Sequence, residues 1–212
     1  MSYVRDVAAL TRKDLLLELR AKETVPAMLL FVLAALTIFH FAIPRGTNHV
    51  AAFGLLWTAI VFTALLGLTR AFVPEREQGL MDALVLAPSD RSAIWVAKSL
   101  AVMAFLGVAE LVALPAFGAF FAPVGWRTVV AVLLADVGIA CVGTLTGAMA
   151  VAGRARELIL PLLFLPLAIP IVVGGVGASA GAGNKYLAFL GLYDLVFVLL
   201  SWASFEYVVA EA

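Results

Sequence analysis

Residues 158–178 read "LILPLLFLPLAIPIVVGGVGA", a run without one charged, amide or histidine side chain. A bilayer core about 30 Å thick needs about 20 predominantly apolar residues for each helical crossing. This run has that length. Closed β-barrels satisfy the backbone equally well in lipid, but they read as alternating strands of about ten residues, and no such alternation is present. The run is therefore a transmembrane helix. Pro161, Pro166 and Pro170 within it remove backbone donors, which is tolerable where neighbours re-satisfy the freed carbonyls. They make this span either a hinge or a helix shaped to a curved neighbour.

Outward from that stretch, five more runs qualify as spans: about 25–43, 50–73, 96–121, 129–152 and 187–209. The 212-residue chain is 64% hydrophobic and 13% charged, with a mean hydropathy of +1.10. A soluble domain carries about twice that charge fraction, so this sequence cannot cover its surface with polar groups. The fold class is all-α: a polytopic membrane protein with six transmembrane helices, an N-terminal interfacial amphipathic helix and a short cytoplasmic helix between spans two and three. More than twenty mixed-charge residues precede the first apolar run, which argues against a cleaved signal peptide. The lone Cys141 excludes an intrachain disulfide and a cysteine metal cluster.

Lysine and arginine in short loops set orientation. With the N-terminus inside, Arg5, Arg12, Lys13, Arg20, Lys22, Arg70, Arg76, Arg91, Lys98, Arg154 and Arg156 share the inner side. Arg45, Arg127 and Lys185 remain outside. Eleven against three places both termini in the cytoplasm. Trp95 and Trp126 then fall at opposite interfaces, where indole rings serve as anchors.

Two cytoplasmic stretches are amphipathic. In residues 5–24, "RDVAALTRKDLLLELRAKET", an apolar arc of Val4, Val7, Ala8, Thr11, Leu15 and Leu19 predicts a helix in the inner interface, with Glu18 and Lys22 as an i, i+4 pair. The chain turns into the bilayer at Pro26. In residues 74–98, "PEREQGLMDALVLAPSDRSAIWVAK", Pro74 suits a first helical turn, and Glu75 and Glu77 favour the positive end of the helix dipole. Leu80 and Leu84 share a face, Pro88 stops the helix, and Ser89 or Asp90 caps the next one. This short charged helix has the character of a docking element for a soluble partner.

Inside the spans, Glu110, Asp136 and Asp194 must face the bundle interior, a subunit or water, because a carboxylate in lipid costs several kcal/mol, as an order of magnitude. Helix–helix glue is the plainer reading of all three, a polar path the alternative. Gly143-Thr-Leu-Thr-Gly147 is a small-xxx-small face that admits another helix, so Gly143 and Gly147 are packing residues. No catalytic signature is present: no GxxxxGK[ST], no HExxH, no nucleophile elbow. His40 and His49 flank the outer end of the first span. Nine residues apart and without a third ligand, they read as structural or solvent-facing rather than metal-binding.

The 74–98 stretch resembles the coupling segment of ABC-type exporter permeases, through Glu75, Arg76, Glu77, Gly79, Leu80, Leu84 and Pro88, with Lys98 at the start of the third span. Two further stretches, "RKDLLLELRAKETVPAMLLFVLAALTIFHFA" and "GRARELILPLLFLPLAIPIVVGG", are similar to the CcmB family, the membrane subunits of the bacterial cytochrome c maturation transporter. The resemblance implies a single transmembrane permease domain over residues 1–212, with an interfacial helix in 1–24 and a cytoplasmic coupling loop in 74–92. It implies a separate CcmA-like ATPase subunit pressing on residues 74–88, with CcmC-like and CcmD-like membrane subunits beside it. The chain itself would be no enzyme: ATP would sit on the partner, and haem would be a cargo rather than a bound cofactor. The absence of an axial-ligand pair favours haem on a partner. Six spans are few for a whole path, which implies a second copy or another membrane subunit; nothing points to nucleic acid. Two alternatives stay open from the residues: an ABC permease for a lipid, glycan or drug, and a proton-coupled carrier using the intramembrane carboxylates.

Overall fold

A computed structural model of the chain describes residues 3–44, 48–71, 91–152 and 156–210. Among these, every regular element is an α-helix: α1 (Tyr3–Ala21), α2 (Thr24–Ala42), α3 (His49–Ala71), α4 (Arg91–Phe120), α5 (Trp126–Ala152), α6 (Arg156–Ser179) and α7 (Lys185–Ala210). Helices α2 to α7 are each long and apolar enough to cross a membrane, so the chain is a multi-pass membrane protein with six spans.

The entry into the bundle is a tight reversal. Lys22 ends α1 in the left-handed region at φ 53°, uncommon for a residue with a Cβ. Glu18 then reaches forward, and its carboxylate accepts the amide of Val25 at 2.9 Å. That satisfies one of the donors left open at the start of α2. Glu18 thus works across the turn, as a cap for the next helix, in addition to any pairing along its own. Pro26 lies in the first turn of α2, where its missing N–H costs nothing.

Helix α1 lies against the beginning of α4. Ser92 Oγ donates to the Tyr3 hydroxyl at 3.1 Å, Val7 packs with Ala93 and Ala97, and Thr11 Oγ1 donates to the Ala97 carbonyl at 3.4 Å. The buried face is therefore Val7, Leu10, Thr11 and Asp14. Of the expected arc, Val4, Ala8 and Leu19 are exposed. The arc is thus divided: Val7 and Thr11 lie in the contact, Leu15 is half-buried and Leu19 is exposed. In α4 the contact reaches Ser92 and Ala93, ahead of the apolar run at 96. At 1.5 Å per residue the 30 residues of α4 span about 45 Å, and its opening turns pack under α1.

Helices α3 and α5 are central, each burying more than half of its span, while α2, α6 and α7 bury a third or less. Helix α5 touches α3, α4, α6 and α7. Trp57 of α3 is fully buried; its Nε1–H donates to Ser179 Oγ of α6 at 3.1 Å, and its ring occupies the space a Cβ on Gly175 would need. A second cluster joins Ile94 and Trp95 of α4, Cys141 and Ala148 of α5, and Phe205 of α7. Trp95 is thus 5% exposed and part of the bundle, a correction to its reading as an interface anchor. Trp126, 63% exposed, keeps the outward disposition expected of one.

Helix α6 runs unbroken through Pro161, Pro166 and Pro170. The Leu167 carbonyl of α6 also accepts the Tyr193 hydroxyl of α7 at 2.7 Å, tying these two helices.

Candidate functional site

The residues that carry the exporter resemblance, Glu75, Arg76, Glu77, Gly79, Leu80, Leu84 and Pro88, lie outside the described residues. The two helix ends from which that segment departs and to which it returns are described, and they are tied together. Helix α3 ends at Ala71 and α4 begins at Arg91. Lys98, 4% exposed on α4, donates its ammonium to the Ala71 carbonyl at 2.7 Å and pairs with Asp14 Oδ2 of α1 at 3.1 Å. Lys13 meets the other Asp14 oxygen at 3.0 Å. A backbone carbonyl bonded to a buried ammonium makes a charge-assisted hydrogen bond, about twice as strong as a neutral one. One cation joins three helices at the base of residues 72–90. At the same end Arg70 and Glu23 form a looser, exposed pair at 3.6 Å, of the kind that contributes at most about 1 kcal/mol.

Asp14 went unnoticed in the sequence reading. Its signal was its phase: it falls one turn past Val7, Leu10 and Thr11, a charge on an otherwise unpolar-to-mild face. A carboxylate there demands a buried cation from another helix.

The three intramembrane carboxylates divide into a pair and a single residue. Glu110 of α4 and Asp136 of α5, 6% and 4% exposed, lie near each other in the bundle interior. Glu110 Oε1 and Asp136 Oδ1 find no hydrogen-bond partner among the described residues. Glu110 also borders a cavity of about 10 Å³ with Thr63 of α3 and Val32 of α2. Asp194 of α7 is apart from this pair. It packs against α5 at Gly138, where an added Cβ would lie 2.7 Å from its Oδ1, and neither of its oxygens has a partner among the described residues. Positions 136 and 138 are about 200° apart on a helix and so face opposite sides of α5. The three carboxylates do not line one column.

Of the proposed packing positions, Gly143 is a true close approach. A Cβ there would run into the Leu68 side chain of α3. Gly147 is buried on the same helix.

At the opposite end of the bundle, His40 in the last turn of α2 sets Nδ1 3.0 Å from the carbonyl of Phe120, the last residue of α4. Its ring lies among Phe41, Phe120 and Phe121, at centroid distances of 5.3, 5.0 and 5.8 Å. The structural role expected for His40 is present, as a tie between α2 and α4. His49, at the first position of α3, is exposed.

Comparison with known proteins agrees with this architecture. The family model described as CcmB protein matches residues 5–207. The "Heme exporter protein B" of Paracoccus denitrificans is 30% identical over 203 residues, covering 91% of this chain and 93% of that protein. The protein of the same name from Bradyrhizobium diazoefficiens is 29% identical over 204 residues, covering 90% and 92%. That from Haemophilus influenzae is 26% identical over 201 residues, covering 90% of each. With six spans, an amphipathic first helix and a match from end to end, the chain belongs to the CcmB family.

Proposed function

We propose that this chain is the membrane subunit of an ABC-type haem exporter complex that serves cytochrome c maturation. The observation that carries this is the family match over residues 5–207, together with relatives named "Heme exporter protein B" that align over nine-tenths of their length. In this reading the chain does no chemistry of its own. A separate CcmA-like ATPase docks on the coupling segment, Glu75 to Pro88, and CcmC-like and CcmD-like subunits share the membrane. A second copy of the chain, or another membrane subunit, completes the path. The uneven division of lysine and arginine supports cytoplasmic termini in a bacterial inner membrane. The cargo is haem, or the motion releases a haem-loaded chaperone on the far side.

The Lys98 tie gives this reading a mechanical basis. A push on residues 74–88 reaches α3 and α4 through their ends, and Lys98 makes those ends, with α1, move as one body. A proton-coupled carrier is less well supported, because Asp194 stands apart from the Glu110–Asp136 pair.

The test is a deletion strain whose membranes are stained for covalently bound haem. Loss of c-type cytochromes on deletion, and their return with the intact gene, is the expected result. Their persistence in the deletion strain would remove the maturation role.

A further inference from the structure

A carbonyl oxygen can only accept a hydrogen bond, so the contact between His40 and Phe120 fixes the hydrogen on Nδ1. The neutral ring then carries its lone pair on Nε2. This is the arrangement metal-ligating histidines use: one ring nitrogen held by a backbone carbonyl, the other left as a donor to the metal. The Phe120 carbonyl suits the task, since at the end of α4 it lacks a helical donor of its own. His40 is consequently held in one orientation and one tautomer.

The surroundings say which metal species fits. A bare zinc or copper ion needs three or four protein ligands, and the described residues contain no group of three or more His, Cys, Asp or Glu able to supply them. A single nitrogen suffices only for a metal that brings its own equatorial ligands. An iron porphyrin does so, and it asks for one axial nitrogen beside an apolar, aromatic wall. That wall is present. Phe41 is 83% exposed beside the His40 ring, Phe120 is partly exposed, and behind them Phe121 stacks on Phe117, which contacts Phe53 in the core. Three phenylalanines, Phe53, Phe117 and Phe121, form an aromatic row from the bundle interior to the imidazole, and Phe41 and Phe120 flank the ring.

We propose that His40 Nε2 is an axial ligand for the iron of haem at this end of the bundle, with Phe41 and Phe120 against the macrocycle. The bond is a simple donation of the Nε2 lone pair to iron, with no redox step and no group transferred. The inference rests on the haem-exporter reading for the identity of the cargo. It revises the expectation that haem sits only on a partner: one axial nitrogen is offered here, and the second position stays open for exchange with another protein.

The test is a haemin titration of the purified full-length chain in detergent, followed by Soret absorption and by a spectroscopic signature of nitrogen ligation. The chain is expected to bind saturably through a histidine nitrogen. His40→Ala should lose that signature and weaken binding by about tenfold or more, with recovery of the signature on adding imidazole. His40→Asn, whose amide retains a donor for the Phe120 carbonyl, should fold normally and still lose the ligand. His49→Ala should behave as the parent chain. Unchanged titrations of His40→Asn, no saturable binding by the parent, or loss on His49→Ala would each overturn the proposal. Those results leave cytochrome maturation in the deletion strain untouched as a measure of the wider reading. Conversely, ligation by His40 in a chain whose deletion spares c-type cytochromes would keep this site and remove the maturation role.

Discussion

The buried ion pair of Asp14 and Lys98 is the residue whose loss would be felt most. A buried pair is a poor source of net stability, since both ions leave water, but removing one partner strands a charge and costs about 3–5 kcal/mol. Asp14→Asn and Lys98→Met are therefore each expected to destabilise the solubilised chain by about that amount. The double substitution should cost clearly less than the sum of the two. Unfolding in mixed micelles measures all three; additive losses would show that the two side chains act independently. Lys98 was legible in the sequence as part of the coupling pattern, because the pattern includes a lysine after the proline. Its partner was not, because periodicity reports which face is apolar and not which face meets a neighbour. The Glu110–Asp136 proximity was hidden for the same reason: each carboxylate announced a buried position, but only helix packing chooses its companion.

Helix existence was almost fully readable, and helix contacts were not. All six spans and the amphipathic α1 follow from run length and charge placement. Of the arc expected on α1, Val7 and Thr11 meet α4 while Val4, Ala8 and Leu19 stay exposed, as a helix that serves both a protein neighbour and an interface requires. Trp95 was misread likewise: an indole near the end of a span suits a headgroup region, yet here Cys141, Ala148 and Phe205 provide a pocket for it. The three prolines of α6 lie within one continuous helix, as a single span requires, with Tyr193 bonded to its backbone. Between α3 and α6 the contact is set by volume, since Trp57 fills the space beside Gly175. Gly175→Leu should force that ring aside and destabilise the bundle by about 1–3 kcal/mol. A thermal unfolding assay of the solubilised chain reads this directly, and an unchanged midpoint would mean that the two helices do not meet there.

At the scale of the whole molecule, the two ends of the bundle have different characters. One end gathers α1, the close of α3 and the start of α4 around Lys98, and carries most of the basic residues. The other presents His40 within its aromatic row. In the proposed reading, a motor presses on the first end and haem is offered at the second. Docking of a soluble ATPase is proposed from the 74–88 pattern; the Lys98 tie between the flanking helix ends required the fold. The most direct test of coupling is haem staining of c-type cytochromes in a deletion strain carrying either the intact gene or its Leu84→Asp form, with the amount of each chain in the membrane measured alongside. The intact gene should restore the cytochromes, and Leu84→Asp should not, although it reaches the membrane in equal amount. Full restoration by Leu84→Asp would contradict force transmission through residues 74–88.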